Sequence, residues 1–201
     1  MIGSAKGFLL KAAINSGLWP RAAHRAVRRT LRHILIACCI AASLAASAAP
    51  AGLAPDNLLN QKAPGFTLTG LNGQTLRLAA FRGKVVLLNF WATWCAPCQL
   101  EMPVFAAWQR QYAQQGFQVI GISMDDDAAT ARRVAERLRL NYPVAMGDER
   151  LAARYGGVLG LPLTFLIDRN GVVRARFQGE RDVKSIESKI NALLAEPRVH
   201  R

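Results

Sequence analysis

Cys95 and Cys98, three positions apart, are the residues of this chain best suited to do chemistry. They lie in Trp91-Ala-Thr-Trp-Cys-Ala-Pro-Cys98, where an apolar run ends and a helical pattern begins. A cysteine at a helix N-terminus meets the positive end of the helix dipole and unpaired backbone N–H groups. Both favour thiolate, so a thiol placed there ionises below the free value of about 8.5. Cys98 follows one turn on, on the same helix face and less exposed. It can attack a mixed disulfide formed at Cys95. The ring between the two is short, so a disulfide can form and break there without moving the fold. Zinc binding needs two further ligands. The other cysteines, Cys38 and Cys39, lie in an N-terminal apolar stretch, and no histidine falls between Ile34 and Val199. A c-type haem attachment needs histidine after the second cysteine, where Gln99 stands. A purely structural pair is the remaining reading.

The elements that must position this pair are legible as patterns. Gly65–Thr69 and Gln74–Leu78 alternate apolar and polar residues around Gly70-Leu-Asn-Gly73, which predicts a hairpin. Lys84–Phe90 and Phe117–Ser123 are near-continuous apolar runs, the mark of strands buried on both faces. Between them the spacing predicts a helix over Cys95–Gln115, with Leu100, Val104, Ala107 and Trp108 on its apolar face. Asp125-Asp126-Asp127 reads as the cap of a helix running to about Leu140. A short segment over 143–147 and a short helix over 148–155 follow. Leu163–Asp168 and Val172–Phe177 form a hairpin with an Asn-Gly turn, and Asp182–Leu194 is a closing amphipathic helix. A strand–helix–strand run requires a parallel pair, and the terminal hairpin adds antiparallel strands.

Phe90-Trp-Ala-Thr-Trp-Cys-Ala-Pro-Cys-Gln-Leu-Glu-Met-Pro103 resembles the active site of the thioredoxin superfamily, in its exported TlpA/ResA/CcmG-like branch. Gly83–Asn89 resembles that branch's strand before the site, and Gly160–Asp168 the segment holding the family's cis-proline. The resemblance covers residues 60–195. It implies an α/β, thioredoxin-like fold: a central mixed β-sheet flanked by helices, with an N-terminal β-hairpin. It implies a redox-active Cys95–Cys98 disulfide, with Cys95 the nucleophile and Cys98 the resolving cysteine. Pro162 resembles the cis-proline beside the dithiol, which offers the backbone of Leu161 to an extended substrate. Trp94 would shield Cys95; otherwise it is a core aromatic. Ala96 and Pro97 stand at the positions that tune redox potential, and Pro103 would kink the helix.

The resemblance also implies an activity. The expected protein is an extracytoplasmic thiol–disulfide oxidoreductase that reduces protein disulfides, for example in cytochrome c maturation or cell redox homeostasis. Its partners would be protein disulfide substrates, such as apocytochrome c, and a membrane thiol electron donor of the DsbD/CcdA type. No cofactor and no metal is implied. Cytoplasmic thioredoxin has a buried Asp where this chain has Asn89, and Asn cannot take a proton from Cys98. Glu101, one turn past Cys98, is either a charge that tunes Cys98 and accepts its proton or a solvated helix residue. Two other classes compete. A thiol peroxidase of the peroxiredoxin kind needs a Pro-x-x-x-Thr-x-x-Cys pattern, but Thr93 is two residues before Cys95 and the Pro is missing. A non-enzymatic metallochaperone needs Cys-x-x-x-Cys and a distant His, and the domain has neither.

The rest of the chain bears on location. Seven of the 26 Lys and Arg residues precede Ile34 with no acid among them, so most of the net charge of +13 belongs to a leader. The pattern divides the chain into a basic region (1–33), a signal peptide or membrane anchor (34–49), a tether (50–63) and a thioredoxin-like domain (64–196). From Ile34 to Pro55 runs a stretch of 22 uncharged residues, nine of them Ala, with Ala46-Ser47-Ala48 as a cleavage site. Both readings of the segment place the domain in the periplasm or on the extracytoplasmic face of the inner membrane. Arg132, Arg133, Arg137 and Arg139 crowd one helix and read as a solvated surface. The excess charge forms no single basic stripe, so nucleic acid is not an expected partner.

Overall fold

The computed structural model describes residues 58–179 and 182–197. The basic region, the apolar segment and the start of the tether lie outside the described residues. Among the described residues no helix is long and apolar enough to cross a membrane.

Two short strands, β1 (Thr67–Thr69) and β2 (Thr75–Arg77), pair antiparallel across Gly70–Gln74 as a small separate sheet. The central sheet contains β3 (Val85–Trp91), β4 (Phe117–Ser123), β5 (Val144–Met146), β6 (Leu163–Ile167) and β7 (Val173–Gln178). Its order is β5-β4-β3-β6-β7. The pairs β3–β4 and β4–β5 are parallel, whereas β3–β6 and β6–β7 are antiparallel. Every residue of β3, β4 and β6 is buried, as their near-continuous apolar runs require.

Among the described residues four α-helices pack with these strands: α1 (Ala96–Tyr112), α2 (Ala128–Arg137), α3 (Glu149–Arg154) and α4 (Val183–Ala195). Strand side chains alternate between two cores. Val85, Leu87 and Trp91 face Met102 and Phe105 of α1, Val134 of α2 and Ile186 and Ile190 of α4. Val86, Leu88 and Phe90 face Leu76, Leu151 and Tyr155. Burial pushes the Tyr155 phenol above its ordinary value. Its hydroxyl donates to the Pro64 carbonyl at 2.8 Å, which ties the incoming chain to the second core.

Phe105 joins α1 to the sheet: it is fully buried and its ring centre lies 5.5 Å from that of Trp108. Phe105→Ala is expected to cost about 3–5 kcal/mol of stability, the usual loss when a buried aromatic is truncated. Urea titration reads this directly. A loss below about 1 kcal/mol would mean that α1 is not held by one tightly packed core.

Two expectations need correction. The inner face of α1 is Cys98, Met102, Phe105, Gln109 and Tyr112, with Glu101, Ala106 and Trp108 beside it. Leu100 points outward and is 73% exposed. The first half of α1 is apolar nearly all round, so a 3.6-residue period fits more than one face. The α2 helix stops at Arg137 rather than near Leu140, because Arg139 turns left-handed at φ 52°. The N–H groups of Arg139 and Leu140 then bond back to the Glu136 and Ala135 carbonyls at 2.9 and 3.0 Å, closing the helix end. The β6–β7 hairpin forms as expected, and its turn carries the Asn170-Gly171 pair. Only Gly171 of that pair takes a positive φ (75°), and the Asp168 carboxylate closes the loop by accepting from Asn170 and Val172 N–H at 2.9 Å each.

Candidate active site

The dithiol sits where β3 hands the chain to α1. Cys95 is the N-cap residue of α1, in extended backbone at φ −88° and ψ 95°. Its sulfur accepts the Cys98 backbone N–H at 3.3 Å, so one of the orphan donors of the helix N-terminus points at Sγ. Pro97 stands in the first turn, where its missing N–H costs no helical bond. Cys95 and Cys98 are joined in a disulfide with their Cα atoms 5.3 Å apart. Cys95 is 5% exposed and Cys98 1%, so the first cysteine is the less buried of the two.

The strand register brings the Pro162 segment to the same edge. Phe90 is paired with Leu163, so Trp91 and Pro162 are the next residues out on neighbouring strands. The Leu161–Pro162 peptide bond is cis, Pro162 is buried, and its carbonyl accepts the Gly179 N–H at 2.8 Å. Leu161 is half-buried and touches both cores. Ala96 is exposed and Pro97 half-buried between the cysteines.

Asn89 lies opposite Thr164 on the face of the sheet that carries α1 and the cysteines. Its amide Nδ2 donates to Thr164 Oγ1 at 3.0 Å in a buried setting, and its Oδ1 finds no protein donor. Glu101 is 6% exposed on the inner side of α1, which overturns its reading as a solvated residue. It is a carboxyl group one turn beyond Cys98 on the same helix. Trp94 is not a core aromatic: it stands 71% exposed beside Cys95.

The loop before Cys95 is fixed by a residue that sequence reading placed elsewhere. Of the three aspartates after β4, only Asp127 caps α2, accepting from Ala129 and Thr130 N–H at 3.1 and 2.9 Å. Asp125 instead turns toward the dithiol loop. Its carboxylate accepts the Thr93 N–H at 3.0 Å, the Thr93 hydroxyl at 2.7 Å and the Ser123 hydroxyl at 2.8 Å. On the other side of the loop, Gln99 Nε2 donates to the Thr93 carbonyl at 2.6 Å. Gln99 Oε1 in turn accepts from Arg137 at 2.6 Å. Arg137 and Arg132, which donates to the Leu71 carbonyl at 2.8 Å, are therefore tied down rather than merely solvated. No local pattern marks Asp125, because its partner Thr93 lies 32 positions earlier.

A sulfur that caps a helix, with a second sulfur closing a ring inside the first turn, is built to exchange disulfides. Such a junction is the working part of thiol–disulfide oxidoreductases, and this thioredoxin-like protein is one. The chain belongs to the AhpC/TSA family, whose model matches residues 59–176. It is 33% identical over 135 residues to the thiol-disulfide oxidoreductase ResA of Bacillus thuringiensis subsp. konkukian, spanning 67% of this chain and 78% of that protein. To ResA of Geobacillus kaustophilus it is 36% identical over 131 residues, spanning 65% of this chain and 75% of that one. Its structure is similar to that of a candidate thiol:disulfide interchange protein DsbE from Chlorobium tepidum, with a TM-score of 0.64 and 35% identity. That likeness covers 68% of this chain and 98% of the other.

Proposed function

We propose that this protein is an extracytoplasmic protein-disulfide reductase with Cys95 as its nucleophile and Cys98 as its resolving cysteine. The observation that carries the reading is Cys95 as helix N-cap, its sulfur facing the Cys98 N–H at 3.3 Å. In the reduced enzyme the Cys95 thiolate attacks one sulfur of a substrate disulfide. The substrate S–S bond breaks, a Cys95–substrate disulfide forms, and the departing substrate thiolate takes a proton. The Cys98 thiol gives up its proton and attacks Cys95 Sγ, releasing the second substrate thiolate and leaving the Cys95–Cys98 disulfide. Two electrons pass from the dithiol to the substrate. The buried Glu101 carboxyl is the proton acceptor for Cys98, and Asn89 is a polar, non-ionising neighbour. The backbone of Leu161, ahead of Pro162, pairs with the substrate chain as an added strand. Trp94 gives that chain an exposed aromatic surface beside Cys95.

The leader supports the location: basic residues, then an uncharged apolar run, then small residues, the order of an export signal or anchor. In this reading residues 34–49 are the signal or anchor, 50–63 a tether and 64–196 the redox domain. Substrates are disulfides of exported proteins, apocytochrome c among them, and a membrane dithiol of the DsbD/CcdA type restores the reduced state.

Titration against glutathione, with iodoacetamide labelling and peptide mapping of the reduced protein, tests this reading. Cys95 is expected to be the cysteine alkylated near neutral pH, and the couple to sit well below the about −120 mV of the oxidant DsbA. Preferential labelling of Cys98 would reverse the roles. A potential near that of DsbA would make the protein an oxidant. Turnover of hydrogen peroxide faster than of disulfides would favour the peroxidase.

A further inference from the structure

We propose that Asp125 is a positioning residue for the nucleophile: it holds Thr93, and through Thr93 it keeps Cys95 Sγ at the helix N-terminus. The inference rests on the reading of Cys95 as nucleophile. Four residues, Ala92–Cys95, connect β3 to α1, and Cys95 bonds back to Ala92 through its N–H at 3.1 Å. The middle of this loop depends on outside partners. The N–H and hydroxyl of Thr93 both go to the Asp125 carboxylate, at 3.0 and 2.7 Å. The Thr93 carbonyl takes Gln99 Nε2 at 2.6 Å, so each backbone polar group of Thr93 is held by a side chain. Gln99 directly follows Cys98, and Arg137 at the end of α2 holds its other amide atom at 2.6 Å. The clamp therefore grips the dithiol from both sides.

Asp125 is itself fixed. Ser123, fully buried at the end of β4, donates its hydroxyl to the carboxylate at 2.8 Å and accepts the Asp125 N–H at 3.2 Å. The Met124 N–H bonds the Trp91 carbonyl at 2.8 Å, locking the residues after β4 to the end of β3. A carboxylate is otherwise a poor neighbour for a thiolate, since like charges repel. Here three donors take up its charge, and what it supplies is geometry. If the loop slackens, Sγ drifts from the Cys98 N–H and the thiolate loses part of its stabilisation.

The test compares wild type, Thr93→Val, Asp125→Ala and the double variant. Thr93→Val removes only the hydroxyl bond and keeps shape and charge. The charged side chains of α1, of the segment after β4 and of α2 are Glu101, Arg110, Asp125, Asp126, Asp127, Arg132, Arg133, Glu136 and Arg137. Only Asp125 changes in this set. The measurements are the pH midpoint of Cys95 alkylation, the potential against glutathione, and thermal stability. Both single variants are expected to raise the midpoint, Asp125→Ala by about half a unit or more, a roughly threefold loss of thiolate near neutral pH. The double variant is expected to move no further than Asp125→Ala, because the same bonds are lost. A lower melting temperature with unmoved midpoints would make Asp125 a structural tie only. A midpoint that falls in Asp125→Ala and stays put in Thr93→Val would mean that its charge acts directly on the thiolate. Should Asp125→Ala fail to fold, Thr93→Val still decides between positioning and no positioning. Absence of Cys95 labelling in wild type would defeat the nucleophile assignment instead, a separate result.

Discussion

Cys95→Ser is expected to abolish disulfide reduction, lowering the rate by more than about a thousandfold, the order of loss when a catalytic nucleophile is removed. The substitution suits this site because of where Cys95 stands. It caps α1, and serine is among the best N-cap residues, so its hydroxyl can take over the Cys98 N–H and the helix keeps its start. Thermal stability should hold while chemistry stops, since a serine hydroxyl is almost never ionised near neutral pH. Insulin reduction with dithiothreitol as donor, beside a melting curve, makes the comparison. A variant that kept a tenth of the rate would show that Cys98, 1% exposed in the oxidised form, can open substrate disulfides on its own.

The second large effect concerns Cys98→Ala. Cys95 keeps its place at the helix N-terminus and still attacks, but nothing displaces the substrate from it. Steady-state turnover should disappear, and about one equivalent of substrate should remain bound per chain through Cys95. Non-reducing electrophoresis and peptide mapping read this, and dithiothreitol should release the adduct. Alanine at a buried position within the first turn removes one sulfur and little else, so the fold should tolerate it. If Cys95 reacts with iodoacetamide in this variant yet captures no disulfide-bonded substrate, insulin included, the two-step exchange is wrong for this protein.

The sequence was most informative where physical constraint is local. Val85–Trp91, Phe117–Ser123 and Leu163–Ile167 read as strands because covering both faces demands near-continuous apolar runs. The dithiol was legible because a Cys-x-x-Cys at a strand-to-helix junction has few other uses. The face of α1 was not. Leu100 and Val104 recur at helical spacing as well as Cys98, Met102 and Phe105 do, and the sheet and α4 decide between them. The burial of Glu101 follows from the same rotation of the helix. Asp125 was read as one of three capping carboxylates because local charge near a helix start is the commoner pattern. Its pairing with Thr93 exists only once β3 and β4 lie side by side in register, Trp91 against Ser123.

The stretch Asn60–Ala63 runs along the sheet at the β6–β7 turn: Asn60 N–H bonds the Val173 carbonyl at 2.8 Å and Ala63 N–H the Gly171 carbonyl at 2.9 Å. That turn borders the start of β3, since Gly83 N–H bonds the Arg169 carbonyl at 2.9 Å. The dithiol lies at the other end of β3, seven residues or about 20 Å away. Sequence upstream of Asn60 thus joins the domain at the pole opposite the sulfurs. The entry of the described chain and the disulfide stand a full strand length apart. Sites that far apart should respond to substitution independently, so the entry segment can be altered while the chemistry of the dithiol stays as it was.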